Sequence, residues 1–267
     1  MLALAFFVLL TFTLGFAHGA MDIFLLRDAQ DRLDFKVSGV YFLAAALLAA
    51  VLTPWPGISL MALILLSLWH FGEQAHFEHV NQPVAWLLRG VQGGSSVMLP
   101  VLLSPQALLP WVQSIAGAQV SWVWPLWVGM AGLWCALLVA AFTIVKPWTA
   151  AAGKTLWLEL VVLVALNLLL SPLLAFALFF GLYHSGAHIW RMRQLHKREG
   201  KPWRDGLLAA TVALTWLALA ALFWWMSDRS FAPLDAGLWL RWLVVALAAV
   251  TLPHLILISR SRHRLFA

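Results

Sequence analysis

Two histidines, His184 and His188, stand four residues apart in FGLYHSGAHIW, residues 180–190. At 3.6 residues per turn, both imidazoles fall on one helical face, one turn apart. Neutral imidazole is the commonest metal-ligating side chain, and its second ring nitrogen usually donates to a carboxylate or a carbonyl. Three further histidines sit inside apolar runs: His18, His70 and His254. Carboxylates accompany them. Asp22 follows His18 by four residues and Glu73 follows His70 by three, so each pair shares a helical face; Glu159 opens another apolar run. This set predicts a buried metal ion whose charge is offset by carboxylates at lower cost than if left uncompensated.

The elements that must position these side chains are membrane helices. Of the 267 residues, 63% are hydrophobic and 10% charged, and the mean hydropathy is +0.88. Soluble domains carry roughly 25% charged residues, so the composition excludes one and predicts an all-α, polytopic transmembrane bundle. No stretch is polar enough for a separate soluble domain, and residues 1–267 read as one. The net charge of +6 does not point to nucleic acid, because the basic residues cluster in short loops between apolar runs. The one cysteine, Cys135, lies within an apolar run and excludes an intrachain disulfide.

Apolar runs predict about nine helices, near 3–26, 37–53, 58–78, 84–103, 120–145, 155–170, 172–190, 206–227 and 237–259. The first run has no positively charged start and continues past any cleavage point, so it reads as a retained helix. Residues 155–190 are too many for one span, and Ser171-Pro172 is where a reversal belongs. Charge bias supports that division. With the N-terminus outside, fifteen Lys and Arg fall on inner segments and only Arg229 and Arg241 on outer ones. The C-terminus is then cytoplasmic, and the chain belongs in a bacterial cytoplasmic (inner) membrane as a multi-pass protein among lipids. The uncharged stretch 104–119 reads as a loop in the outer interface. His76 and His79, at or past a helix end, read as interfacial. His196 and His263 read as exposed.

In this topology His18, His70, the pair His184/His188 and His254 lie on the first, third, seventh and ninth helices, which all run inward. Each histidine is roughly 12–17 residues into its helix, an axial spread of only about 7–8 Å. Five imidazoles from four helices therefore reach one layer, in the inner half of the membrane. Structural zinc favours four closed ligands, often thiolates. Haem needs two facing histidines. Di-iron histidine-box sites need more ligands than five. A mononuclear iron site fits the count, and leaves positions where dioxygen binds.

Four segments also carry a resemblance. AHGAMD (17–22), WHFGE (69–73), LELVVLVALNLLLSPLLAFALFFGLYHSGAH (158–188) and TLPHLIL (251–257) resemble, in order, the elements of the Brp/Blh family of membrane β-carotene 15,15′-dioxygenases. The resemblance covers nearly the whole chain. It implies Fe(2+)-dependent cleavage of the central double bond of β-carotene, or a related carotenoid drawn from the bilayer, with dioxygen, giving two retinals. It implies metal ligation by His18, His70, His184 and His188, with His254 as a fifth ligand or a residue supporting the ligands, alongside Asp22, Glu73 and Glu159. Tyr183, Phe179 and Phe180 are expected to line the substrate. The chain departs from the family pattern at Ala17, Ala75, Ser259 and Gly186-Ala187. The residues alone leave two other readings open: an oxygenase or hydroxylase of another membrane lipid or carotenoid, and a non-catalytic retinoid- or carotenoid-binding protein.

Overall fold

The computed structural model describes residues 7, 10–27, 33–73, 81–145, 151–201, 203–227 and 236–266. Among these there is no strand. The chain begins with a π-helical turn, Thr11–Gly15, running into the short helices α1 (Phe16–Ala20) and α2 (Asp22–Leu25). Then come α3 (Phe35–Leu52), α4 (Pro56–Glu73), α5 (Gln82–Leu103), α6 (Pro105–Ala116), α7 (Val120–Ile144) and α8 (Ala151–Leu169). The last third holds α9 (Pro172–Ala177), a π segment Leu178–His184, α10 (Ser185–Arg198), α11 (Asp205–Ser227) and α12 (Ala236–Phe266).

Five helical segments are long and apolar enough to cross a membrane: Phe35–Leu52, Pro56–Glu73, Pro172–Arg198, Gly237–Ser261, and one within Pro105–Ile144. Their outer faces carry bare apolar side chains such as Phe35, Leu133, Val139 and Leu182. A hydrocarbon solvent accepts that surface, provided the backbone bonds are made within each helix. Helix starts follow local chemistry. The Asp34 carboxylate accepts from the backbone N–H of Lys36 and Val37, and the Asn81 carbonyl accepts from Val84 N–H.

Residues 155–190 form two helices that break at Ser171. Tyr183 Oη donates to Glu159 Oε2 at 3.2 Å. One uninterrupted helix would hold residues 24 apart at about 36 Å. The chain therefore reverses at Ser171-Pro172, as the proline predicts. Helices α4 and α5 pack backbone to backbone: Gly93 lies against the Leu68 carbonyl and Gly72 against the Arg89 carbonyl, positions where any Cβ would collide. Four residues forward on one helix match four back on the other, so the pair is antiparallel. Small residues at such a crossing give close van der Waals contact where lipid supplies no hydrophobic drive.

The structure differs from the sequence reading in three places. Residues 105–116 are helix α6 rather than loop. Ser104 and Pro105 start it, and Gly117 (φ +56°) ends it. The first helix is segmented at Met21 rather than continuous. His196 is buried, not exposed. The expected interfacial residues His76 and His79, residues 3–6 of the first helix and the stretch around Arg229 lie outside the described residues.

Candidate metal centre

Four elements bring five imidazoles together. His18 comes from α1, His70 from the last turn of α4, His184 and His188 from the junction of the π segment with α10, and His254 from the middle of α12. All five are buried. The His18 ring is central: its centroid lies 4.3 Å from that of His188, 4.6 Å from His184, 4.7 Å from His254 and 5.5 Å from His70. His70 lies 4.9 Å from His184 and 4.8 Å from His254. The potential ligand nitrogens of His18, His70 and His184 all fall within 4.8 Å of one another.

The local fold explains why these rings converge. In the π segment Leu178–His184 the backbone takes one extra residue per turn, a distortion common at functional sites. Ser185 Oγ donates to the Phe180 carbonyl at 2.7 Å, the same carbonyl that accepts the Ser185 backbone N–H. The other π turn, Thr11–Gly15, faces this one. Gly15 lets the Phe180 ring lie directly on its backbone. Phe180 in turn stacks on His184, centroids 5.5 Å apart and planes 20° apart. Phe71 also meets the His184 ring, edge-on at 4.6 Å. The rings are thus held by aromatic packing as well as by their own helices.

The carboxylates take different places. Asp22 is buried beside the cluster, and His254 Nδ1–H donates to its oxygens at 2.7 and 2.9 Å. Tyr41 Oη donates to the same carboxylate at 2.7 Å. This arrangement fixes the His254 tautomer: the proton sits on Nδ1, and the Nε2 lone pair faces the other rings. His254 Nε2 lies 2.9 Å from His18 Nε2. Glu73 instead accepts from Ser259 Oγ at 3.0 Å. Glu159 accepts from Gln92 Nε2 at 2.9 Å and from Tyr183. Of the residues expected to line substrate, Phe180 touches the histidines, Phe179 packs edge-on against Phe71 at 5.2 Å, and Tyr183 is half exposed and turned to Glu159.

Sequence reasoning missed Tyr41, Gln92 and Phe71. Tyr41 is one of only two tyrosines, and a phenol in an apolar run needs a partner, so it carried a readable signal. Beyond His188, α10 is capped by a second cluster. Phe24 stacks on Trp203 at 5.0 Å, and His196 lies edge-on to both rings, its Nδ1–H donating to the Met192 carbonyl at 3.0 Å. Asp205, outside the membrane spans, receives Trp203 Nε1–H at 2.7 Å and Arg193 at 2.9 Å; these donors hold its carboxyl below the usual carboxylate range.

The donor set fits a metal ion. His18 Nδ1, both nitrogens of His70 and His188 Nε2 are buried and make no hydrogen bond within the protein. Buried polar atoms without partners cost about 1–3 kcal/mol each, so several on converging rings call for a further partner. A cation is the partner that suits lone pairs meeting at a point.

The family model described as "Beta-carotene 15,15'-dioxygenase" matches residues 9–260. A protein of that name from uncultured marine bacterium 66A03 is 24% identical over 255 residues, covering 92% of this chain and 89% of that one. No solved structure matches.

Proposed function

Because the chain belongs to the beta-carotene 15,15′-dioxygenase family, we propose that it cleaves the central double bond of β-carotene with dioxygen, giving two retinal molecules. In this reading Fe(2+) is held by His18, His70, His184 and His188, with His254 as the fifth ring. The observation that carries it is the set of unpartnered ring nitrogens on His18, His70 and His188, buried in one layer contributed by four elements. Bound iron supplies activation of dioxygen beside the polyene. Both oxygen atoms end in product: one carbon–carbon double bond is lost and two aldehyde carbonyls form.

The chain's own residues do the rest. Asp22 keeps a proton on His254 Nδ1, so that Nε2 offers its lone pair to the centre. Tyr41 holds the carboxylate in that pose. Phe180 and Phe71 pack against His184 and keep water from the rings. A dry, aromatic-walled site suits a substrate that dissolves only in the bilayer, and limits side reactions of activated oxygen. The same reading places the single domain, residues 1–267, in a bacterial inner membrane, N-terminus outside.

The test uses purified protein in detergent, supplied with Fe(II), β-carotene and isotopically labelled dioxygen. Retinal should appear at two molecules per carotene, each carrying one labelled atom. Iron-loaded protein that yields no retinal refutes the assignment.

A further inference from the structure

Near the histidine layer is an apolar cavity of about 120 Å³. Three helices place it independently. On α4 its lining runs from Ser67 back to Leu60, three to ten residues before His70. On α9 it runs from Phe176 back to Pro172, and on α12 from Leu247 back to Leu240. At 1.5 Å per residue, these stretches begin about 5–12 Å from the histidines and end about 15–21 Å away, always on the same side. The cavity is thus a channel that runs along the histidine-bearing helices and away from the histidine layer. Its wall is continuous with the site: Phe176 stacks on Phe180 at 5.7 Å, and Phe180 on His184.

Helix α6 lies across the far end. One tie is on its last turn and one on the turn that follows it, Gly117–Gln119. Arg241 Nε donates to the Ile115 carbonyl at 3.1 Å, and Gly57 N–H donates to Gln119 Oε1 at 2.9 Å. Arg241 is thirteen residues before His254 and Gly57 thirteen before His70, so both ties sit about 20 Å from the histidines. The start of α6 is at the same level, because Ser104 falls opposite Gly57 in the antiparallel register of α4 and α5. A helix with both ends at one level runs crosswise, and Leu108, Trp111, Val112 and Ile115 of α6 face the cavity.

We propose that α6 is the stop that decides which double bond is cleaved. One ring-bearing arm of the carotenoid enters the channel until its ring meets Val112 of α6 and Leu240 of α12, and the length of the channel then sets the bond that reaches the histidines. The occupant is argued from continuity with the site and from the lining, where Ser67 and Ser96 bring the only hydroxyls, both toward the histidine end. Tethering by Arg241 and Gln119 makes α6 a fixed stop. This inference rests on the carotenoid-cleaving reading of the site.

The experiment measures product length. Val112→Phe and Leu240→Phe fill the far end, and Leu240→Ala deepens it, which also covers the case where an overpacked variant fails to fold. Leu133→Phe, on the bare face of α7, is the control. Filling should hold the ring short of its place and raise the ratio of unequal to equal aldehydes about tenfold, the equivalent of about 1.4 kcal/mol between competing bonds. Deepening should also raise that ratio, because the two halves of β-carotene are identical and a cut displaced either way gives the same pair of unequal aldehydes. Product that stays symmetric in every folded variant overturns the proposal. If the wild-type protein makes no aldehyde from any carotenoid, the cleavage reading fails by itself. The channel is then judged by retained pigment: loss of bound β-carotene in Val112→Phe and not in Leu133→Phe supports it, and equal retention overturns it.

Discussion

Asp22 links two donors, the buried His254 Nδ1–H and the half-buried Tyr41 O–H, through one carboxylate that is only 2% exposed. The substitution Asp22→Asn keeps the shape and removes the charge. One amide oxygen still accepts from His254, and the amide nitrogen can meet the oxygen of Tyr41. What is lost is the charge assistance, about half the strength of such a bond. Residues that orient a ligating imidazole in this way typically contribute 10- to 100-fold in metal affinity. Asp22→Asn should therefore weaken Fe(II) binding about 10- to 100-fold, or about 1.4–2.8 kcal/mol. Asp22→Ala should cost more, since the buried His254 Nδ1–H is then left without a partner, at about 1–3 kcal/mol, and the half-buried Tyr41 hydroxyl loses its acceptor. Tyr41→Phe should cost least, because it removes a donor together with its need. The assay is competition against a coloured Fe(II) chelator, run beside denaturant unfolding of the metal-free protein to separate affinity from stability. Wild-type affinity in Asp22→Asn, or a larger loss in Tyr41→Phe than in Asp22→Asn, would refute the claim that Asp22 acts through His254.

His70→Ala and His184→Ala should each leave the purified protein with almost no iron by elemental analysis; full occupancy in either would remove that ring from the ligand set. Gly15→Ala puts a methyl group into the Phe180 ring, which stacks on His184. Overpacking of this kind costs about 1–3 kcal/mol, so thermal unfolding should shift downward and iron affinity fall with it, whereas Gly19→Ala, with open space at its Cβ, should change neither. The Asp205 carboxyl is depressed by Trp203 and Arg193. Its contribution to stability is therefore present above the ordinary carboxylate pKa and fades as pH falls through the lower folded value. It is a small, exposed effect, and a melting series against pH in Asp205→Asn should lack the corresponding slope.

The meeting of the five histidines was legible because two simple regularities point the same way. Charge bias orients the helices, and residue counts set the depth of each ring. The reversal at Ser171-Pro172 was legible for the same reason, since proline removes a donor and the charge bias demands a turn. Helix α6 was not legible. Pro105 and Pro110 interrupt its pattern, it has no charged face, and at twelve residues it is too short to read as a span. Its position is fixed by chain far away: Arg241 bonds the Ile115 carbonyl, and Gly57 bonds Gln119 in the turn just beyond it. The π turns were hidden because nothing in composition distinguishes them from α-helix; they follow from packing Phe180 over Gly15. Glu73 and Glu159 share a face or a depth with the histidines, yet Ser259, Gln92 and Tyr183 engage them. Spacing predicts proximity, and the choice of partner depends on a neighbouring helix that spacing does not describe.

The contact between His18 and His254 spans 236 residues. It joins the first described helical turns to the last helix, and Asp22 doubles the link. The chain through His254 must therefore be made before the histidine layer can exist. Until α12 has entered the membrane, α1 carries an imidazole and a carboxylate whose partners have not been synthesised. Insertion of α12 therefore precedes a complete five-ring layer. A metal bound across this contact would act as a clasp between α1 and α12, and its loading would report that α12 has arrived.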